Sequence, residues 1–169
     1  MNSLLRANCC VLQQGIDLIK LHSDASYTKS DKSVFGSSLG SHIRHVLDHY
    51  RAFLNSIESG VVDYDNRKRD TIIEKSRQMA IDEAESLIKS FEILEFFEDK
   101  QVGVRVAAST EGSVKISQSS LARELQFLVS HTVHHYALIA IASRVQGIEP
   151  ADTFGVAPST LKYMQASNC

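Results

Sequence analysis

Apolar residues recur at alternating steps of four and three from Ser3 to about His22, at Leu5, Cys9, Leu12, Ile16 and Ile19. A helical period of about 3.6 residues gathers such positions onto one stripe, so an amphipathic first helix is expected here. Residues 23–37 lose that period, are rich in Ser, Asp, Lys and Gly, and are expected to form a long surface connection. A second helix is expected from near Ser38 to Glu58, with Leu39, Ile43, Val46, Leu47, Tyr50, Phe53, Leu54 and Ile57 on its stripe and Gly60 as its stop.

After a polar stretch, Asp63 to Lys68, the third and longest helix is expected over about Asp70 to Phe97. The period then changes to two: Val102, Val104 and Val106 alternate with Gly103 and Arg105, and Val114 and Ile116 alternate beyond Ser-Thr-Glu-Gly, predicting a β-hairpin over 101–118. Ser119 or Ser120 can cap a fourth helix running through Leu121, Leu125, Leu128, Leu138 and Ile139 to about Arg144, with Gly147 and Pro150 ending it. Pro158-Ser-Thr-Leu can open a short final helix that folds back on the others. The expected fold is therefore all-α: an antiparallel four-helix bundle, a β-hairpin inserted before the fourth helix, and a short C-terminal helix.

A chain of 169 residues with 43% apolar and 22% charged residues suits one soluble domain over 1–169. Its net charge of −2, with both signs dispersed, supplies no basic face, so nucleic acid is not an expected partner. No apolar run approaches the roughly 20 residues of a membrane span, and the N-terminus lacks a signal-peptide pattern, so a cytoplasmic protein is expected. Cys9, Cys10 and Cys169 have neither disulfide-framework nor zinc-site spacing and are expected to be small apolar fillers.

Six of the seven histidines fall in two short segments: His42, His45 and His49 in one, and His131, His134 and His135 in the other. His131 and His135 lie one turn apart on the leucine stripe of the fourth helix, where core leucines would be expected. Two buried imidazoles without partners would each cost about 1–3 kcal/mol, whereas one ion can take a nitrogen from each. A pair at i and i+4 can chelate a metal. A third ligand is expected from the row His42, His45 and His49; periodicity does not choose among them and places His42 and His49 nearer the core than His45.

Ser-Leu-Gly-Ser-His42-Ile-Arg-His45-Val-Leu-Asp48, followed by His131-Thr-Val-His134-His135, resembles the DinB-like family of metal-dependent bundle proteins over most of the chain. In that family the first ligand is a histidine near the start of the second helix, with an Asp three residues on and an aromatic eight on. Asp48 and Phe53 stand in that relation to His45, although Val46 replaces the usual Leu or Ile. The remaining two ligands are the ends of an H-x-x-x-H segment. The resemblance thus implies the metal ligands His45, His131 and His135, leaving His134 in a supporting or structural role.

Three imidazoles leave a coordination position open, as catalytic sites do. Zn is expected first, with Ni and Fe(II) compatible with imidazole ligands. The expected function is a metal-dependent hydrolase or thiol (S-)transferase acting on a small molecule, with a low-molecular-weight thiol as a candidate partner implied by the resemblance. A homodimer is compatible with the sequence. Asp48 and Tyr136 are candidates for orienting a ligand or moving a proton. The competing expectation is a non-catalytic, stress-related or regulatory metal-binding module.

Overall fold

The structure, a computed structural model, describes residues 2–31, 35–69, 71–94, 98–111 and 114–167. It is mostly helical, with four long helices: α1 (Ser3–Leu21), α3 (Leu39–Ser59), α5 (Arg77–Ile93) and α6 (Leu121–Val145). Short helices α2 (Asp24–Thr28) and α4 (Thr71–Lys75) intervene, and α7 (Pro158–Ser167) closes the chain. Helix α1 packs on α5 and α6, and α3 packs on the same two, so the stripes read from the sequence meet in one core. Leu12 and Ile16 of α1, Leu47 and Phe53 of α3, Phe91 of α5 and Leu125 of α6 are all buried there.

The ends of α3 follow their local chemistry. The Ser41 N–H donates to Ser38 Oγ at the N-terminus (3.1 Å). At the other end Gly60, at φ 73°, adopts the left-handed conformation that a side chain would disfavour, and its N–H reaches the Ser56 carbonyl at 2.8 Å.

Three expectations need correction. The single third helix is instead α4 and α5, broken at Ser76; its expected end residues, Asp70 and Phe97, lie outside the described residues. Tyr27 Oη donates to the Ile73 carbonyl (2.9 Å), the acceptor that a continuous helix would offer to the Arg77 N–H. Ser76 Oγ meanwhile accepts from the Met79 N–H at 3.3 Å and starts α5 afresh. The connection over 23–37 contains α2, capped by Ser23, and the antiparallel pair β1 (Ser30–Asp31) and β2 (Phe35–Ser38).

The hairpin is present as β4 (Gln101–Arg105) and β5 (Ile116–Ser120), but it belongs to a three-stranded sheet. A third strand, β3 (Val61–Asp63), pairs parallel to β4, with Val61 opposite Gly103. Val102 and Val104 are buried, while Val106, Val114 and Ile116 are exposed. Strand β5 runs two residues past the expected end to Ser120, which then caps α6 by accepting from the Arg123 N–H (3.3 Å). Helix α7 buries no residue; the tail is held instead by Phe154, stacked on Tyr136 with ring centres 4.5 Å apart. Among the described residues, no helix is long and apolar enough to cross a membrane.

Gly15 of α1 leaves room for α6, because a Cβ there would stand 2.2 Å from the buried Tyr136 hydroxyl. Gly15→Ala is expected to destabilise the protein by about 1–3 kcal/mol through this overlap. Tyr136→Phe in the same chain should restore part of the loss, because it removes the clashing oxygen. A melting temperature unchanged by Gly15→Ala would contradict this packing.

Candidate metal centre

The packing of α3 on α6 turns the two histidine segments toward each other. His45 Nε2 and His131 Nε2 stand 3.2 Å apart. The His135 ring centre is 4.6 Å from that of His45 and 4.6 Å from that of His131. One ligand atom from each of His45, His131 and His135 can be chosen so that all lie within 4.8 Å of one another. All three side chains are half-buried.

The neighbouring histidines have other engagements. His42 Nδ1 lies 3.1 Å from His135 Nδ1, and His42 Nε2 lies 2.9 Å from Ser37 Oγ. His49 Nδ1 bonds the His45 carbonyl of its own helix (2.8 Å), and its ring stacks on His131 with centres 4.0 Å apart. His49 is the deepest of the α3 row at 6% exposed, as its place near the apolar stripe suggested, yet His45 joins the cluster. All three α3 histidines touch α6, and His45 is the one that offers a nitrogen to His131 and His135 together, while His49 Nδ1 is taken by a carbonyl. His134 is exposed, with its ring beside His135.

Asp48 is buried, with its carboxylate between Arg44 (3.2 Å) and Arg51 (3.6 Å), so its first role is to anchor two cations on α3. Tyr136 is turned to α1, where its hydroxyl donates to the Val11 carbonyl (2.9 Å). Cys9 is half-buried and Cys10 exposed, both as free thiols; Cys169 lies outside the described residues. Sequence patterning did not single out Arg67, whose guanidinium donates to His45 Nδ1. It sits in an aperiodic polar stretch, and no local signal distinguishes it from Arg69 or Lys68.

Burial is the leading influence on the ring pKa values. It lowers His131 to about 2, His45 to about 3, and His49 and His135 each to about 4, with repulsion from neighbouring rings adding to the effect in the three cluster members. Neutral imidazoles present lone pairs, the form a metal requires. Two nitrogens bound at about 2.0–2.1 Å to one tetrahedral ion stand about 3.3 Å apart, close to the His45–His131 separation. The protons can also be assigned consistently. If His135 directs Nε2 to an ion, its Nδ1–H donates to His42 Nδ1 and the His42 Nε2–H donates to Ser37 Oγ. Among the described residues, His131 Nδ1 is buried without a hydrogen-bond partner. The residues therefore fit a divalent ion.

A mostly helical protein with a cluster of three imidazoles of the kind that holds a divalent ion is the class this geometry defines. The DinB family model matches residues 2–162, nearly the whole chain, and the chain belongs to that family. The FK506-binding protein 5 of Rhizopus delemar is 30% identical over 112 residues, which span 62% of this chain and 28% of that protein. The chain thus spans under a third of the length of that relative. No solved structure matches the chain.

The lowered ring pKa values set a pH dependence for the metal-free protein. Above about pH 6.5 the rings are neutral both folded and unfolded. As pH falls below that value the unfolded chain takes up protons first, so the folded state loses stability, and continues to do so down to the folded values of about 4 and below. The melting temperature of the metal-free protein is expected to be lower at pH 5 than at pH 7.5. A flat profile over that range would contradict the burial of the rings.

Proposed function

We propose that this chain is a metal-dependent enzyme acting on a small molecule, a hydrolase or thiol transferase, with His45, His131 and His135 holding one divalent ion. The observation that carries the reading is the composition of the cluster: three imidazoles, with no carboxylate or thiolate joining them among the described residues. Such a donor set leaves a position open. Zn suits it best, and Ni or Fe(II) accept the same ligands. The ring of contacts among α1, α3, α5 and α6 is read as an antiparallel four-helix bundle forming one domain, with the site between two of its helices.

Within this reading each residue has a definable task. The ion, when bound, supplies Lewis acidity that activates water or a thiol. His42 fixes the orientation of His135, and Ser37 fixes that of His42. His49 and Phe127 pack against His131, with ring centres 4.0 and 5.5 Å away, and displace water from that side. Arg67 faces the Nδ1 side of His45 and so sets the orientation of that ring.

His45→Ala, His131→Ala and His135→Ala are each expected to reduce bound metal to about a tenth or less, because two imidazoles cannot maintain the coordination that three provide. His49→Ala should retain it. His42→Ala is expected to weaken affinity by about 10–100-fold through loss of its hold on His135. Elemental analysis and metal titration of the purified variants measure these effects, and stoichiometric metal in His45→Ala would remove that ligand from the scheme.

Catalytic use requires exchange at the open position. With Co(II) in the site, low-molecular-weight thiols are expected to change the visible absorption spectrum. A spectrum indifferent to thiols, azide and pH would show a closed shell and overturn the enzymatic reading.

A further inference from the structure

Arg67 is a half-buried guanidinium that donates to a ring nitrogen, His45 Nδ1, and whose buried Nε has no hydrogen-bond partner among the described residues. A guanidinium has five N–H donors in a planar fork, so this one is under-used. It also lines a cavity of about 340 Å³, together with Asp48, Arg51, Asp63, Asn66 and Lys68. That volume falls within the range of small-molecule sites. The other charges in the wall are largely committed: Arg51 to Glu83, Asp48 to Arg44, and Asp63 to Arg105.

Metal binding would remove the acceptor that Arg67 now uses. His45 Nε2 is the atom facing His131. A neutral imidazole that coordinates through Nε2 carries its proton on Nδ1, and an N–H cannot accept from a guanidinium. With the site loaded, Arg67 loses that acceptor; the carboxylates that act on it, Asp48 and Asp65, are held by Arg44 and Arg51 and by the Ala107 N–H, so the fork is left for a ligand.

We propose that Arg67 binds a carboxylate of the substrate in this cavity, so that the small molecule acted on is a carboxylic acid in its anionic form. This rests on the metal-dependent reading above and names the substrate class. The fork of Arg67 matches the two oxygens of a carboxylate. With Arg51, Asp48 and Asp63 paired elsewhere, Arg67 and Lys68 are the wall's remaining charges, so the cavity favours an anion.

The test uses 3-mercaptopropionate, its neutral amide 3-mercaptopropionamide, and propionate, each titrated into metal-loaded protein by calorimetry. The two thiols are also titrated into the Co(II) form, read by absorption. Wild type is expected to bind the anionic thiol about tenfold or more tighter than the amide, the scale of a charge-assisted bidentate contact. Arg67→Gln should bind the two alike and give no heat with propionate, at unchanged metal content. Equal affinities in wild type, or a preference that survives in Arg67→Gln, overturn the proposal. If Arg67→Gln fails to fold or to hold metal, Arg67→Lys is measured instead: it keeps the charge and loses the fork, so a preference reduced several-fold is expected and an undiminished one overturns the proposal. The propionate arm separates this proposal from its parent. Propionate heat abolished by Arg67→Gln supports the carboxylate subsite even if thiols leave the Co(II) spectrum unchanged, a result that would count against the transferase reading alone.

Discussion

The contact between α3 and α6 is the constraint on which the rest depends. It encloses polar rings where leucines would pack more cheaply, and every ring nitrogen shielded from water there needs a partner or costs about 1–3 kcal/mol. Several have one: His42 uses Ser37 and His135, His49 uses a carbonyl, and His45 uses Arg67. His131 Nδ1 is the exception among the described residues. Burial keeps the rings neutral, and their crowding sets ring nitrogens 3.1 and 3.2 Å apart in the His42–His135 and His45–His131 pairs.

The remainder of the fold holds this contact in register. Thr132 Oγ1 donates to the buried Tyr50 hydroxyl across α3 and α6 at 3.3 Å. The small sheet sets the other wall. Tyr64 Oη donates to the buried Glu124 carboxylate of α6 (2.8 Å), and Ser119 Oγ donates to the same group (2.6 Å). This fastens the chain after β3 to the start of α6 and stacks Tyr64 on His49, with ring centres 5.0 Å apart. Arg67 follows three residues later and reaches the cluster for that reason. The parallel pairing of β3 with β4 is thus part of the site's construction, although neither strand contributes a ligand.

How much of this could be read in the sequence follows from length and range. Helices of 17 to 25 residues repeat their stripe often enough to be recognised, and α1, α3 and α6 lie close to their expected bounds. The five-residue helices α2 and α4 and the three-residue strand β3 are too short to establish a period. The break at Ser76 depends on Tyr27, 46 residues earlier in the chain than Ile73, whose carbonyl it takes. At the site, His131 and His135 were legible because their spacing is a property of one helix. The third member was not, because periodicity reports depth on α3 while membership depends on which ring offers a nitrogen to both His131 and His135. The family resemblance pointed to His45, the residue the structure brings to the other two. Arg67 left no trace in the pattern, since its position comes from strand pairing and the Tyr64–Glu124 bond.

The central claim is that these three rings, drawn together by α3 and α6, hold one ion. Anomalous diffraction from crystals of the metal-loaded protein, collected on both sides of the metal's absorption edge, tests it most directly. A single peak is expected about 2.0–2.1 Å from one nitrogen of each of His45, His131 and His135. A peak held by His42 or His49 in place of His45, or a fully loaded protein with its ion elsewhere, would contradict it.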